Sequence, residues 1–75
     1  MIKINDTFIN PAFILTIELD YETQGINKTG KVRLVFKILQ GIGFEMIKTD
    51  WFGSKRKAVN WYRDEVKKEL WDLEG

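Results

Sequence analysis

Phe13-Ile14-Leu15-Thr16-Ile17-Glu18-Leu19-Asp20-Tyr21 decides the fold class of this chain. Phe13, Leu15, Ile17, Leu19 and Tyr21 fall on one side of an extended backbone, and Thr16, Glu18 and Asp20 on the other. Successive strand side chains point to opposite faces, so the alternation predicts a half-buried strand over 13–21. A sheet with one wet face is antiparallel by habit, and the neighbouring segments fit that arrangement.

On the N-terminal side, Ile2, Ile4 and Phe8 share one face of a segment that stops at Asn10-Pro11, where proline cannot donate to a ladder. This predicts an edge strand over about 2–9. On the other side, Glu22 to Gly30 is rich in turn formers and longer than a usual hairpin loop, which predicts a mobile connection. Val32, Leu34, Phe36 and Ile38 then alternate with Lys31, Arg33 and Lys37, giving a strand over about 31–40. Val35 and Leu39 add apolar surface to its outward side, so this strand is expected to be covered on both faces.

Gln40-Gly41-Ile42-Gly43 supplies a tight hairpin, and a fourth strand follows over about 44–52. Its two faces, Phe44/Met46/Lys48/Asp50 and Glu45/Ile47/Thr49/Trp51, are both mixed, and the pattern leaves the inward one open. Gly53-Ser54 ends the sheet, and Ser54 is a suitable N-cap for a helix over about 55–73. Val59, Tyr62, Val66, Leu70 and Leu73 recur at helical spacing and form its core stripe. The predicted fold is therefore α+β: a four-stranded antiparallel meander with one C-terminal amphipathic helix packed on it.

A chain of 75 residues holds one domain, 1–75, because so short a chain cannot bury a second core. Hydrophobic residues are 44% and charged residues 31%, a globular composition. Twelve Lys+Arg against eleven Asp+Glu give a net charge of +1, so any polyanion would be held by local clustering and not by a global field. No cysteine is present to staple a secreted domain of this size, and no stretch approaches a membrane span or a leader. The expectation is a soluble, unprocessed, cytoplasmic protein without membrane association.

The absence of both histidine and cysteine removes the commonest general base, metal ligand and nucleophile. Ser54, the lone serine, reads as a helix cap; Glu18 and Asp20 read as outer-face charges before they read as a metal or acid–base pair. Gly41 and Gly43 join two strands and lead into no helix, so they form no phosphate loop. No enzyme activity, cofactor, metal or small-molecule substrate is expected.

Three features are candidates for function. Trp61, Asp64, Lys68 and Trp71 form a second helix stripe, roughly opposite Val66 at about 100° per residue, and predict a partner surface. The plain alternative is that one indole is buried at the edge of the core. Next, the helix opens with Lys55-Arg56-Lys57 and continues into Asp64, Glu65, Glu69, Asp72 and Glu74. This order opposes the macrodipole by roughly 0.3–1 kcal/mol per charge. An anion held by Ser54, Lys55, Arg56 and Lys57, an antiparallel partner helix, or a solvated charge run would each account for it. Last, Lys31, Arg33 and Lys37 make a basic outward row of the kind that sheet-based nucleic-acid binders use.

Two resemblances sit on these residues. Ile4-Asn5-Asp6-Thr7-Phe8-Ile9-Asn10-Pro11-Ala12-Phe13-Ile14 resembles the strand, N-P-x-x-I corner and next strand of FlbD-like small proteins of Gram-positive bacteria and their phages. That resemblance implies a non-enzymatic β-meander with a following helix. Phe52-Gly53-Ser54-Lys55-Arg56-Lys57-Ala58-Val59-Asn60-Trp61 is similar to the strand-to-helix passage of the integrase arm-binding domain, F-x-T-K-x-x-A-x-x-W. That resemblance implies a three-stranded sheet that binds DNA, although the family's basic richness is missing here.

The expected function is a non-catalytic protein-interaction module. It would form a homodimer through the helix, bind a host protein, or both, as a phage or prophage accessory protein. The alternative is a nucleic-acid-binding module using Lys31, Arg33 and Lys37 with the basic helix start.

Overall fold

The computed structural model describes residues 1–70. It is α+β, with strands β1 (Ile2–Ile4) and β2 (Thr7–Ile9) forming a small hairpin. A 3-10 turn at Pro11–Phe13 leads into β3 (Ile14–Gln24), β4 (Asn27–Gln40) and β5 (Gly43–Lys48), which make a three-stranded antiparallel sheet in the order β3-β4-β5. Helix α1 (Lys55–Trp61) continues through a π-helical stretch, Tyr62–Lys67, and stays helical over 68–70.

The predicted first strand, 2–9, is two strands. Asn5 adopts φ 54°, a left-handed conformation that asparagine tolerates, and with Asp6 it turns the chain so that Ile2 faces Ile9 and Lys3 faces Phe8. Ile2, Ile4 and Ile9 are thereby buried, whereas Phe8 lies in solvent under the Lys3 ammonium. Asn10 accepts the Ala12 N–H on its side chain at 3.0 Å, and this capped turn with Pro11 at its first position is the corner into β3.

In β3 the predicted alternation holds from Thr16 to Tyr21 and fails before it. A bulge between Ile14 and Thr16 shifts the phase, so Ile14 pairs with Ile38 and packs inward while Leu15 and Phe13 stay exposed. The expected mobile stretch, 22–30, is instead the end of a hairpin. Thr23 pairs with Lys28 and Gln24 with Asn27 around a two-residue turn, Gly25-Ile26, with Gly25 at φ 64°. The tip is water-exposed, and turn formers there close a ladder as readily as they open a loop.

The core lies on one side of the large sheet. Phe36, Leu34 and Val32 on β4 point the same way as Ile17 and Leu19 on β3, and Ile47 on β5 joins them. Ile2, Ile4 and Ile9 of the hairpin and Val66 of the helix complete the cluster. The fourth predicted strand ends at Lys48 rather than 52, and its open question of facing is settled by register: Phe36 opposite Ile47 sends Ile47 and Glu45 inward, and Phe44, Met46 and Lys48 outward.

The helix departs from its predicted stripe. Ala58 and Val66 are fully buried, Tyr62 and Leu70 are half-buried, and Val59 is 44% exposed. A π-helical turn closes i→i+5 bonds, so each residue turns the chain less than an α-helical residue does. That lag over Tyr62–Lys67 aligns Val66 with Ala58 instead of Val59. Leu73, the last predicted core position, lies outside the described residues.

Asn5→Gly is expected to leave stability unchanged or slightly raised, whereas Asn5→Val, β-branched at a left-handed position, should cost about 1–2 kcal/mol in urea unfolding.

Candidate functional site

The sequence puts Trp61 on the back of the helix, with burial of one indole at the edge of the core as the alternative, and the structure has it partly buried against the core. Its ring meets Phe36 edge-on at 6.3 Å and Phe52 at 5.8 Å, and it packs against the buried cluster. The slower rotation of the π-helical stretch that follows brings Trp61 round to the side of the helix that carries Val66. Asp64 and Lys68 do remain exposed, with Asp64 3.5 Å from the Arg63 guanidinium. Trp71 lies outside the described residues. Of the four stripe residues, the described ones are therefore one partly buried indole and two exposed charges.

The basic helix start is where the sequence put it. Ser54 caps the helix, its hydroxyl accepting the Lys57 N–H at 3.3 Å, and Lys55, Arg56 and Lys57 are exposed. The Lys57 side chain lies against Gly53.

The third candidate gains most from the structure. Helix and hairpin both pack on the inner side of the sheet, so the outer side faces solvent. Along β4 it presents Lys31, Arg33, Val35, Lys37 and Leu39; β3 adds Thr16, Glu18 and Asp20; β5 adds Phe44, Met46 and Lys48. Val35 is buried there among its neighbours while Leu39 is half-exposed, so the expected second cover reaches only part of this strand.

Three contacts order the face. Asp20 accepts from the Arg33 guanidinium at 2.8 Å across the β3–β4 pair. The same guanidinium sits over the Trp51 ring at 4.2 Å, and the Lys37 ammonium sits over the Phe44 ring at 4.0 Å. Each ring contact orients its cation on the partly exposed face, for about 0.5–1 kcal/mol at an exposed site.

The Trp51 ring is brought to Arg33 by an irregularity. After Lys48 the chain leaves the ladder, and Thr49 satisfies Leu34 twice: its N–H donates to the Leu34 carbonyl and its hydroxyl accepts the Leu34 N–H, both at 3.0 Å. Pairing resumes at Phe52, which exchanges two hydrogen bonds with Val32 at 2.7 and 3.1 Å. Asp50 and Trp51 are the residues thrown out between those anchors. Trp51, Phe44 and Met46 were missed as site residues because the facing of their strand was left open. The signal was present, since a two-residue Gly41-Ile42 turn puts Phe44 opposite Leu39 and Met46 opposite Lys37.

Among the described residues no group of three or more acidic side chains could hold a metal, and no helix is long and apolar enough to cross a membrane. No protein-family model, curated protein or solved structure matches the chain.

Two substitutions separate core from surface. Trp61→Ala should lower unfolding free energy by about 2–4 kcal/mol in urea titration, as a core aromatic does. Asp20→Asn, which removes only a half-exposed ion pair, should cost less than about 1 kcal/mol in the same experiment.

Proposed function

We propose that this protein is a non-catalytic binding module that docks nucleic acid on the outer face of its three-stranded sheet. The supporting observation is the pair of ring-seated cations, Arg33 on Trp51 and Lys37 on Phe44, set in one solvent-facing row with Lys31 and with Lys48 beside it. Such cations stay oriented without being neutralised by the ring, and phosphate oxygens are their natural acceptors. Arg33 offers further donors beyond the one that Asp20 takes, because a guanidinium carries five N–H groups.

The architecture adds support. A three-stranded sheet with a helix on one side and an open opposite side is what the similarity of Phe52 to Trp61 to the integrase arm-binding domain implies, and that domain uses its sheet on DNA. The acidic row Glu18 and Asp20 on β3 confines the contact to β4 and β5. With a net charge of only +1, binding rests on these few residues and is modest in strength.

A protein partner is the second reading, favoured by the apolar end of the same face, where Leu39, Phe44 and Met46 are about half exposed. A host protein or a second copy of the chain would bury that end and leave the ring-seated cations at its rim.

Short single-stranded and duplex oligonucleotides titrated by fluorescence anisotropy distinguish the two. If the cations contact about three phosphates, the slope of log affinity against log salt should be roughly −2 to −3. Lys31→Glu with Lys37→Glu should weaken binding at least about tenfold, with unchanged circular dichroism, while Lys68→Glu on the helix should leave it unchanged. A salt-independent or absent interaction sinks the nucleic-acid reading and favours the protein partner.

A further inference from the structure

The free edge of β3 is a second surface, distinct from the outer face. This strand runs for 11 residues at the margin of the sheet, and its side away from β4 receives no backbone partner among the described residues. A long edge with unpaired N–H and C=O groups is a template for another strand. The opposite margin, β5, has six residues, and its inner side is adjoined by β2 and the Pro11–Phe13 turn around a shared cleft.

Beside the β3 edge lies an apolar cleft of about 190 Å³ between sheet and helix, lined by Ile17, Glu18, Leu19, Leu34, Val59 and Tyr62. Its existence follows from the π-helical turn, which points Ala58 rather than Val59 at the core and leaves Val59 at the cleft mouth. A strand added to β3 would lie about 4.8 Å from it and send every second side chain toward this cleft. The alternate side chains would point outward, beside Glu18 and Asp20. Glu18 is exposed and makes no ion pair among the described residues.

These charges select the occupant. Two copies of β3 paired about their centres would set Glu18 and Asp20 against one another, and like charges directly opposite are unfavourable. A strand carrying Lys or Arg at the outward positions meets the opposite sign. We infer that the β3 edge accepts an extended peptide in which apolar and basic residues alternate, the apolar ones seated between β3 and Val59/Tyr62 and the basic ones beside Glu18 and Asp20.

The test uses the whole chain and three fluorescein-labelled hexapeptides. One alternates Lys with Val and Ile; one has Glu in place of Lys; one has the first peptide's composition with its lysines in a block. Anisotropy titration should show binding of the first, with the other two weaker by roughly tenfold or more. Val59→Arg, at an exposed position, should abolish binding with an unchanged urea midpoint. Glu18→Lys should weaken it at least about fivefold, whereas Glu45→Lys, the same charge change on β5, should not. Equal binding of the blocked peptide, indifference to Glu18→Lys, or a sedimenting dimer that excludes the peptide overturns the inference.

Discussion

The structure depends on Phe36 being sealed at the middle of the central strand. Its ring is fully buried between Ile17 and Ile47 of the flanking strands, under Trp61 from the helix and beside the isoleucines of the N-terminal hairpin. So small a chain has one layer of cover to offer, and all of it goes to this side of the sheet. The openness of the other side follows from the same shortage, and the candidate nucleic-acid face is left without a packed element among the described residues.

Much of this was legible in the residues. Alternation in Thr16–Tyr21 and Val32–Ile38 identified both long strands and their inward sides, and Ser54 marked the helix start where the hydroxyl does cap it. Failures came where local geometry breaks a period. The bulge at Leu15 swapped Ile14 for Leu15 in the core; the left-handed Asn5 folded one strand into two; a π-helical turn moved Trp61 from the back of the helix to its packed side. Each is an insertion of rotation or length that periodicity counting assumes away, and a stripe counted at 3.6 residues per turn is only as good as the turn.

The candidate site residues divide the same way. Arg33 and Lys37 were readable as outward cations because they sit in the regular part of β4, and Lys31 precedes it beside the register shift. What distinguishes the row from solvated charge is Trp51, and its contact with Arg33 depends on Thr49 leaving the ladder and Phe52 rejoining it. No single-residue pattern announces such an excursion. The helix stripe, by contrast, looked persuasive as a repeat, and its first indole packs partly buried against the edge of the core.

The two-residue turns have a temporal consequence. Gly25-Ile26 and Gly41-Ile42 leave their isoleucines wholly in water, which sacrifices apolar surface to keep consecutive strands adjacent. Ladders built this way zip outward from short loops, and closing a short loop forfeits little chain entropy. The sheet is therefore expected to assemble before the contacts of long sequence separation. The meeting of the first nine residues with the helix is expected to come last, because it closes nearly the whole chain, where the Met1 ammonium reaches Glu69 at 3.4 Å.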